Sequence, residues 1–409
     1  MGYRTTFLHG IGWNGSLKVV TKVIAVGKLA VISRLLSPND FGVFALALIA
    51  ISLFEVFTET GINTIIVQSE KKLAHFVDTA WIISIFRGIA ISVLMLALAY
   101  PLSSFYHEPS LPPLIFIACL VPLVRGFINP AIVSVYKDLK FHHDTMFRLS
   151  LVVVETLATI VLAIIIPGPL ALLLPMVLSA IVEVMFSFFF FSPRPTWKFK
   201  RDVFQEIMAG MKWLNGLSIL EYLRKTLDDL TVGRMLGTSS LGIYRLGYNL
   251  PQASVTELGT SVIYSSFPVY KRLLNEPARL QKAFFQVVGG SSLILLFPTL
   301  LMVFFPNEVI SVVLGDQWVL ASTVLPFLAL AGYVQGVVAI GSTLLTARQA
   351  YTHHFALIAS SCLALGLTLY PLILTYGLKG AGMSVLFSRI ITIPIFIFYA
   401  QKALTSSNE

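Results

Sequence analysis

Charge is scarce in this sequence: of its 409 residues only 12% are charged, against 56% hydrophobic. A soluble domain carries about 25% charged residues, so the composition excludes a water-soluble globular chain and leaves a lipid-facing one. Cysteine is nearly absent. Cys119 and Cys362 stand alone inside apolar runs, which excludes a disulfide framework and gives no metal-ligand spacing. The seven histidines, His9, His75, His107, His142, His143, His353 and His354, fall mostly in loops or at helix ends, and the two doublets lack ligand spacing. No hydrolase signature and no glycine-rich phosphate loop occurs, so neither a cofactor, a metal nor direct ATP hydrolysis is expected. No cleavable leader is expected either, because the first apolar segment contains Lys18, Lys22 and Lys28 and runs on into more apolar sequence. The formal charge of +9 does not imply nucleic acid, since the basic residues are scattered among apolar segments and not gathered on one hydrophilic face.

What the chain has in abundance is apolar sequence in runs of about 20 residues, the length that crosses a hydrocarbon core as a helix. Spans are read near residues 10–33, 41–67, 79–101, 111–133, 147–167 and 170–191, then 212–233, 241–267, 284–305, 321–346, 355–375 and 381–400. The fold class is therefore an all-α polytopic membrane protein of about twelve transmembrane helices. Short loops rich in Lys and Arg stay cytoplasmic. One alternating set of loops holds Arg4; Lys71 and Lys72; Lys137, Lys140 and Arg148; Arg194, Lys198, Lys200 and Arg201; Lys271, Arg272, Arg279 and Lys282; Arg348; and Lys402. The opposite set holds only Arg34, Arg234 and Lys379, so both termini are placed in the cytoplasm.

An internal repeat recurs at an offset of 200 residues. Arg34-Leu35-Leu36-Ser37-Pro38-Asn39-Asp40-Phe41-Gly42-Val43-Phe44 aligns with Arg234-Met235-Leu236-Gly237-Thr238-Ser239-Ser240-Leu241-Gly242-Ile243-Tyr244, and Lys71-Lys72 aligns with Lys271-Arg272. Two parallel six-helix lobes follow, residues 1–200 and 201–409, joined by the hydrophilic stretch 192–211. Parallel repeats of this kind are one of the standard transporter architectures, with substrate bound between the halves.

Nine basic residues fall within or at the edges of the spans: Lys18, Lys22, Lys28, Arg87, Arg125, Arg224, Lys225, Arg245 and Arg389. A charge at mid-membrane costs at least about 2.5 to 3.5 kcal/mol, so each needs a partner or a wet cavity. On the first helix Asn14, Lys18, Thr21, Ala25 and Lys28 make one stripe with Lys22 beside it, and on the eighth Arg245, Asn249, Gln252 and Thr256 make another, with Tyr248 alongside and Glu257 at its end. Two cationic stripes, one per half, would concentrate an anion, and a diphosphate suits Lys and Arg. The candidate cavity residues are Lys18, Lys22, Lys28, Arg87, Arg125, Arg245, Asn249 and Gln252. Glu55 and Glu59 are candidate ion-pair partners of Lys18 and Lys22, or with Glu257 an ion-coupling set. Lys28 and Arg389, near helix ends, either snorkel to the interface or line the cavity. The seventh helix can neutralise itself, because Glu221, Lys225 and Asp229, and also Arg224 and Asp228, are spaced by four.

The segment Arg34 to Gly42 resembles the signature after the first helix of polysaccharide transporters, the Wzx-like oligosaccharide-lipid flippases related to lipid II flippases and multidrug-and-toxin exporters. Thr60-Gly61-Ile62, Asp228 to Gly237, Leu241-Gly242-Ile243-Tyr244, Phe267-Pro268 and Gly315-Asp316-Gln317-Trp318 match further pieces in order. The resemblance assigns Arg34, Pro38, Asp40, Gly42, Arg234 and Gly242 to structural motif positions. It implies a non-enzymatic, monomeric inner-membrane flippase for an undecaprenyl-diphosphate-linked oligosaccharide, working beside polysaccharide polymerase and export machinery. This chain departs from the commoner pattern in having about twelve helices and not fourteen. A cation-coupled multidrug exporter is the rival reading, with Glu55, Glu59, Glu155, Glu183 and Glu257 as coupling acids; the abundance of basic groups in the spans opposes it. A polymerase or ligase is a third, opposed by the shortness of every outward loop.

Overall fold

The structure, a computed structural model, describes residues 21, 23–58, 62, 65, 66, 69, 71–137, 141–211 and 215–405. These residues form helices, 3₁₀ turns and short connections, with no strand among them. The chain divides into two compact units, Met1–Ile219 and Leu220–Glu409.

In the first unit α1 is described over residues 23–35. It is followed by α2 (Pro38–Phe57), α3 (Val77–Tyr106), α4 (Leu111–Ala118), α5 (Leu120–Arg125), α6 (Phe141–Ile165), α7 (Leu170–Phe190) and α8 (Arg201–Met211). The start of α2 is dictated by its sequence. Pro38 occupies the first turn, where its missing N–H costs nothing. The Ser37 hydroxyl accepts from the Asp40 amide, and the Asp40 carboxylate accepts from the Ser37 amide at 2.8 Å, closing a capping box. Two glycines let α3 and α5 touch: a Cβ on Gly88 would lie 2.6 Å from the Pro122 carbonyl oxygen, and one on Gly126 2.9 Å from that of Ser84. Small residues are how membrane helices approach closely.

The second unit opens with α9 (Asn215–Leu236), whose first turns carry the division between units, and continues with α10 (Thr238–Leu273), α11 (Pro277–Phe304), α12 (Pro306–Val313), a 3₁₀ turn (Asp316–Thr323), α13 (Leu325–Ala347), α14 (Tyr351–Tyr376), α15 (Leu378–Ile390) and α16 (Thr392–Thr405). Helix α13 is its axis and packs against α10, α11, α15 and α16. The fully buried Trp318 sits in the 3₁₀ turn, whose entry is made by Gly315 at φ +102°.

The sequence repeat has a counterpart in the helices. The N-termini of α2 and α10, and those of α3 and α11, are each 200 residues apart. Ser37, with its side-chain cap, is matched by Gly237, which turns into α10 at φ +83°. One junction is thus made by hydrogen bonding and the other by backbone freedom.

Among the described residues eight helices are long and apolar enough to cross a membrane: Pro38–Val56, Val77–Tyr106, Met146–Ile165, Leu170–Phe190, Pro277–Phe304, Leu325–Ala347, Thr352–Tyr376 and Leu378–Leu404. Their outward faces carry large exposed apolar side chains, among them Ile164, Phe189, Phe297 and Leu367, which suits lipid and not water. The protein is a multi-pass membrane protein. The expected spans outside this set have identifiable causes. Much of the first lies outside the described residues; the fourth is broken at Cys119 into α4 and α5; and α9 and α10 are long but charged.

The Lys- and Arg-rich segments share one end of each unit. In the first, Val77, Val135 and Phe191 pack in one cluster, which brings together the chain ends that carry the basic loops. In the second, Tyr270, Leu280, Ala347 and Leu404 do the same for the segments bearing Lys271, Arg279, Arg348 and Lys402. The division between the compact units falls after Ile219, and Val203 and Ile207 of α8 are buried against Ile62, Ile66 and Phe76 of the first unit.

Candidate functional site

The densest charge inside the second unit is a network that ties α9, α10, α14 and α15 together. Asp228 and Asp229 project from α9 and are 3% and 7% exposed. Tyr244 of α10 donates to Asp228 Oδ2 at 2.7 Å, and the adjacent Arg245 Nε lies 3.2 Å from Asp229 Oδ2. From α15 comes Arg389, 3% exposed, donating to Ser361 Oγ of α14 at 2.7 Å and to the Tyr248 hydroxyl, with Asp228 within electrostatic reach. Two polar atoms of this network, Asp228 Oδ1 and Arg389 Nε, are buried with no hydrogen-bond partner among the described residues. Ionic groups this deep persist where they are mutually compensated.

In the first unit the basic residues are distributed differently. Lys28 of α1 donates to Glu155 of α6 at 2.6 Å. Arg125, exposed at the end of α5, lies 3.4 Å from Glu183 of α7. Arg87, about a third of the way along α3, donates through Nε to Thr58 Oγ1 at 3.1 Å and through Nη2 to the Glu55 carbonyl oxygen at 2.9 Å. It lines a cavity of about 730 Å³ with Thr58, Ile82, Phe86, Trp197, Phe199 and Phe204. That volume is within the roughly 300–1,000 Å³ typical of small-molecule sites.

The structure brings together less of the expected cavity than the helical spacing suggested. Lys18, Lys22 and Glu59 lie outside the described residues, as does the side chain of Glu257. Glu55 is half-buried, Arg245 and Gln252 are half-buried and Asn249 is exposed, so none of these four is sealed into helix packing. The self-neutralising seventh helix is corrected. Glu221 pairs with both Lys225 and Arg224, at 3.1 Å each, but Asp228 and Asp229 turn to the next helix. A carboxylate one turn along its own helix and one on a neighbour are equally permitted by spacing, and packing chose the neighbour. Arg389 does not snorkel, since it is inside α15's packing; Lys28 is held by an acid. Sequence reasoning did not assemble Asp228, Tyr244 and Arg389, although Asp228-Asp229 was noticed as a motif. Among the described residues no group of His, Cys, Asp and Glu could hold a metal ion.

The motif residues act at helix junctions. Asp40 and Pro38 build the cap of α2, Arg34 Nη1 donates to the Ala30 carbonyl at 2.6 Å, Arg234 closes the last turn of α9, and Gly42 and Gly242 are buried in the following helices. These are the positions through which a comparison with known proteins runs. The sequence profile described as "Polysaccharide biosynthesis protein" matches residues 31–323. The chain belongs to that family.

The match to the polysaccharide biosynthesis protein family begins in α1 and ends with the 3₁₀ turn after α12, so it contains the Asp229–Arg245 pair and stops short of Arg389. Relatives include the lipopolysaccharide biosynthesis protein WzxC of Escherichia coli (strain K12), 25% identical over 341 residues, or 82% of this chain and 69% of that one. The succinoglycan biosynthesis transport protein ExoT of Rhizobium meliloti (strain 1021) is 22% identical over 80% of this chain and 66% of its own length. Among solved structures, lipid II flippase MurJ in an inward closed conformation superposes with a TM-score of 0.74, at 12% identity over 96% of this chain and 89% of MurJ. An inward-facing multidrug resistance MATE transporter of the MOP superfamily gives 0.71, at 13% identity over 94% of each chain. The polysaccharide biosynthesis protein thus shares its fold with both of these solved structures.

Proposed function

We propose that this protein is a flippase that moves an undecaprenyl-diphosphate-linked oligosaccharide repeat unit from the cytoplasmic to the outer leaflet of the bacterial inner membrane. The observation that carries the reading is family membership over residues 31–323 on a fold shared with a lipid II flippase. Relatives named for lipopolysaccharide and succinoglycan biosynthesis point to a glycan precursor as cargo. Two lobes, residues 1–200 and 201–409, give the diphosphate and sugars alternating access to the two sides of the membrane while the polyprenyl tail stays in lipid. About twelve helices and cytoplasmic termini accord with the gathering of basic segments at one end of each unit. Translocation, not catalysis, is its task; it works as a monomer that hands cargo to polymerisation and export machinery.

Lys18, Lys22, Lys28, Arg87, Arg125, Arg245, Asn249 and Gln252 are the residues proposed to meet the cargo, and Glu55, Glu59 and Glu257 to couple or lock it. Lys28, Arg125 and Arg245 already hold acids, so in this reading they act as exchangeable partners: a diphosphate competes for each guanidinium or ammonium. Cells carrying a Lys18→Ala, Lys22→Ala double variant at normal protein level should lose surface glycan and accumulate lipid-linked precursor. Normal export would remove both from the cargo path.

A cation-coupled multidrug exporter is the second reading, favoured by the fold shared with the MATE transporter. It predicts ion-gradient-driven uptake of an organic cation dye into inverted vesicles, abolished by Glu55→Gln. The flippase reading predicts no such uptake.

A further inference from the structure

The connection between α7 and α8 is built onto the first unit. The Asp78 carboxylate, one residue into α3, accepts from the Thr196 amide at 2.6 Å and its hydroxyl at 3.0 Å, and the Lys200 amide donates to Thr79 Oγ1 at 3.1 Å. Lys71 Nζ reaches Glu206 of α8 at 2.7 Å, and the apolar side of α8 is buried through Val203 and Ile207. The segment is thereby fixed, yet Trp197 and Phe199 remain 67% and 54% exposed while walling one end of the 730 Å³ cavity. Trp197 is steadied by Trp81, ring centroids 5.2 Å apart.

The cavity has a direction. Its α3 lining, Ile82, Ile83, Phe86, Arg87 and Ala90, is one stripe along two turns, so it runs with the helix and across the membrane from the level of the linker inward. Arg87 stands ten residues into α3, about 15 Å along the axis. Its guanidinium is turned to Thr58 and the Glu55 carbonyl, which leaves its methylene stem as cavity wall. An open apolar groove that runs along a membrane helix, with Trp197, a residue type that settles at headgroup level, at one end, suits a hydrocarbon chain. Interleaved in sequence with the lining residues Trp197 and Phe199, Lys198, Lys200 and Arg201 are all exposed, with Asp202 alone among acids in the run from 192 to 205. Clustered basic residues beside a membrane segment attract anionic lipid, by about 1 kcal/mol for each Lys or Arg.

We propose that this slot is a binding site for an anionic phospholipid of the leaflet level with the linker, with one acyl chain along Ile82 to Ala90 and its phosphate at Lys198, Lys200 and Arg201. The bound lipid wedges between α3 and the linker and holds the first unit's basic end against the bilayer. Its chemistry is that of a bulk membrane lipid: the slot takes only the methylene stem of Arg87, whose guanidinium, the group proposed to meet the cargo, is turned to Thr58 and the Glu55 carbonyl.

The test is tryptophan quenching in nanodiscs by phosphatidylglycerol or phosphatidylcholine brominated on the acyl chains and present at low mole fraction. The signal of Trp197 is the difference between the intact protein and Trp197→Phe. Phosphatidylglycerol should quench it at least about fivefold more efficiently, the ratio that about 1 kcal/mol gives. Lys198→Gln, Lys200→Gln, Arg201→Gln together should bring the two lipids level, without altering the α-helical circular dichroism. Equal quenching by both lipids in the intact protein overturns the proposal, and so does a preference that survives the triple variant. Relief of the quenching by unbrominated polyprenyl diphosphate, but not by unbrominated phosphatidylglycerol, would make the slot a cargo station and also overturn it.

Discussion

Asp228 and Arg389 are equally buried, and each is held by a neutral hydroxyl as well as by charge. Removing one side of such a pair leaves the other buried and uncompensated, at a cost of about 3–5 kcal/mol. Arg389→Leu should therefore lower the thermal stability of the purified protein sharply. Asp228→Asn added to Arg389→Leu should recover part of the loss, because the stranded carboxylate goes too. An unchanged melting temperature in Arg389→Leu would show the network to be energetically idle. Arg279, 73% exposed beside Glu276, is the contrast: Arg279→Ala should cost about 0–1 kcal/mol. The sequence placed Arg389 near a helix end but not its depth. Spacing along one helix reveals a face, and only the helices packed on that face decide whether it meets water, lipid or Ser361.

At the scale of the element, close approach matters more than apolar content. Gly88 has no room for a side chain against Pro122, whereas a Cβ on Gly289 of α11 would meet nothing within 4 Å. Gly88→Ala should thus force α3 and α5 apart and lower the melting temperature. Gly289→Ala should be neutral or stabilising by up to about 1 kcal/mol through helix propensity. Equal effects from the two would deny that α3 and α5 are locked at Gly88. The same packing explains why the fourth expected span was read too long. Pro122 and Gly126 are apolar enough to extend a hydropathy window, but α5 ends at Arg125, with Gly126 as its C-cap. The starts of α2 and α10 were better signalled, because Ser37-Pro38-Asn39-Asp40 spells a cap and Gly237 marks the matching turn.

For the molecule as a whole, composition revealed the membrane, loop charge grouped the segments that meet at one end of each unit, and the 200-residue offset reappears in helix starts. The partners of buried charge were less legible. Lys28 finds Glu155 across 127 residues of sequence, a pairing that no periodicity contains. The central claim is that this fold carries a diphosphate-linked glycan lipid across the bilayer. It is tested most directly with purified protein in liposomes containing a fluorescent polyprenyl-diphosphate oligosaccharide, following exposure of the headgroup to a membrane-impermeant quencher. A flippase should give protein-dependent movement of headgroups to the opposite leaflet, lost when Lys18 and Lys22 are neutralised. Absence of movement in vesicles where the same protein drives ion-dependent uptake of an organic cation would contradict it.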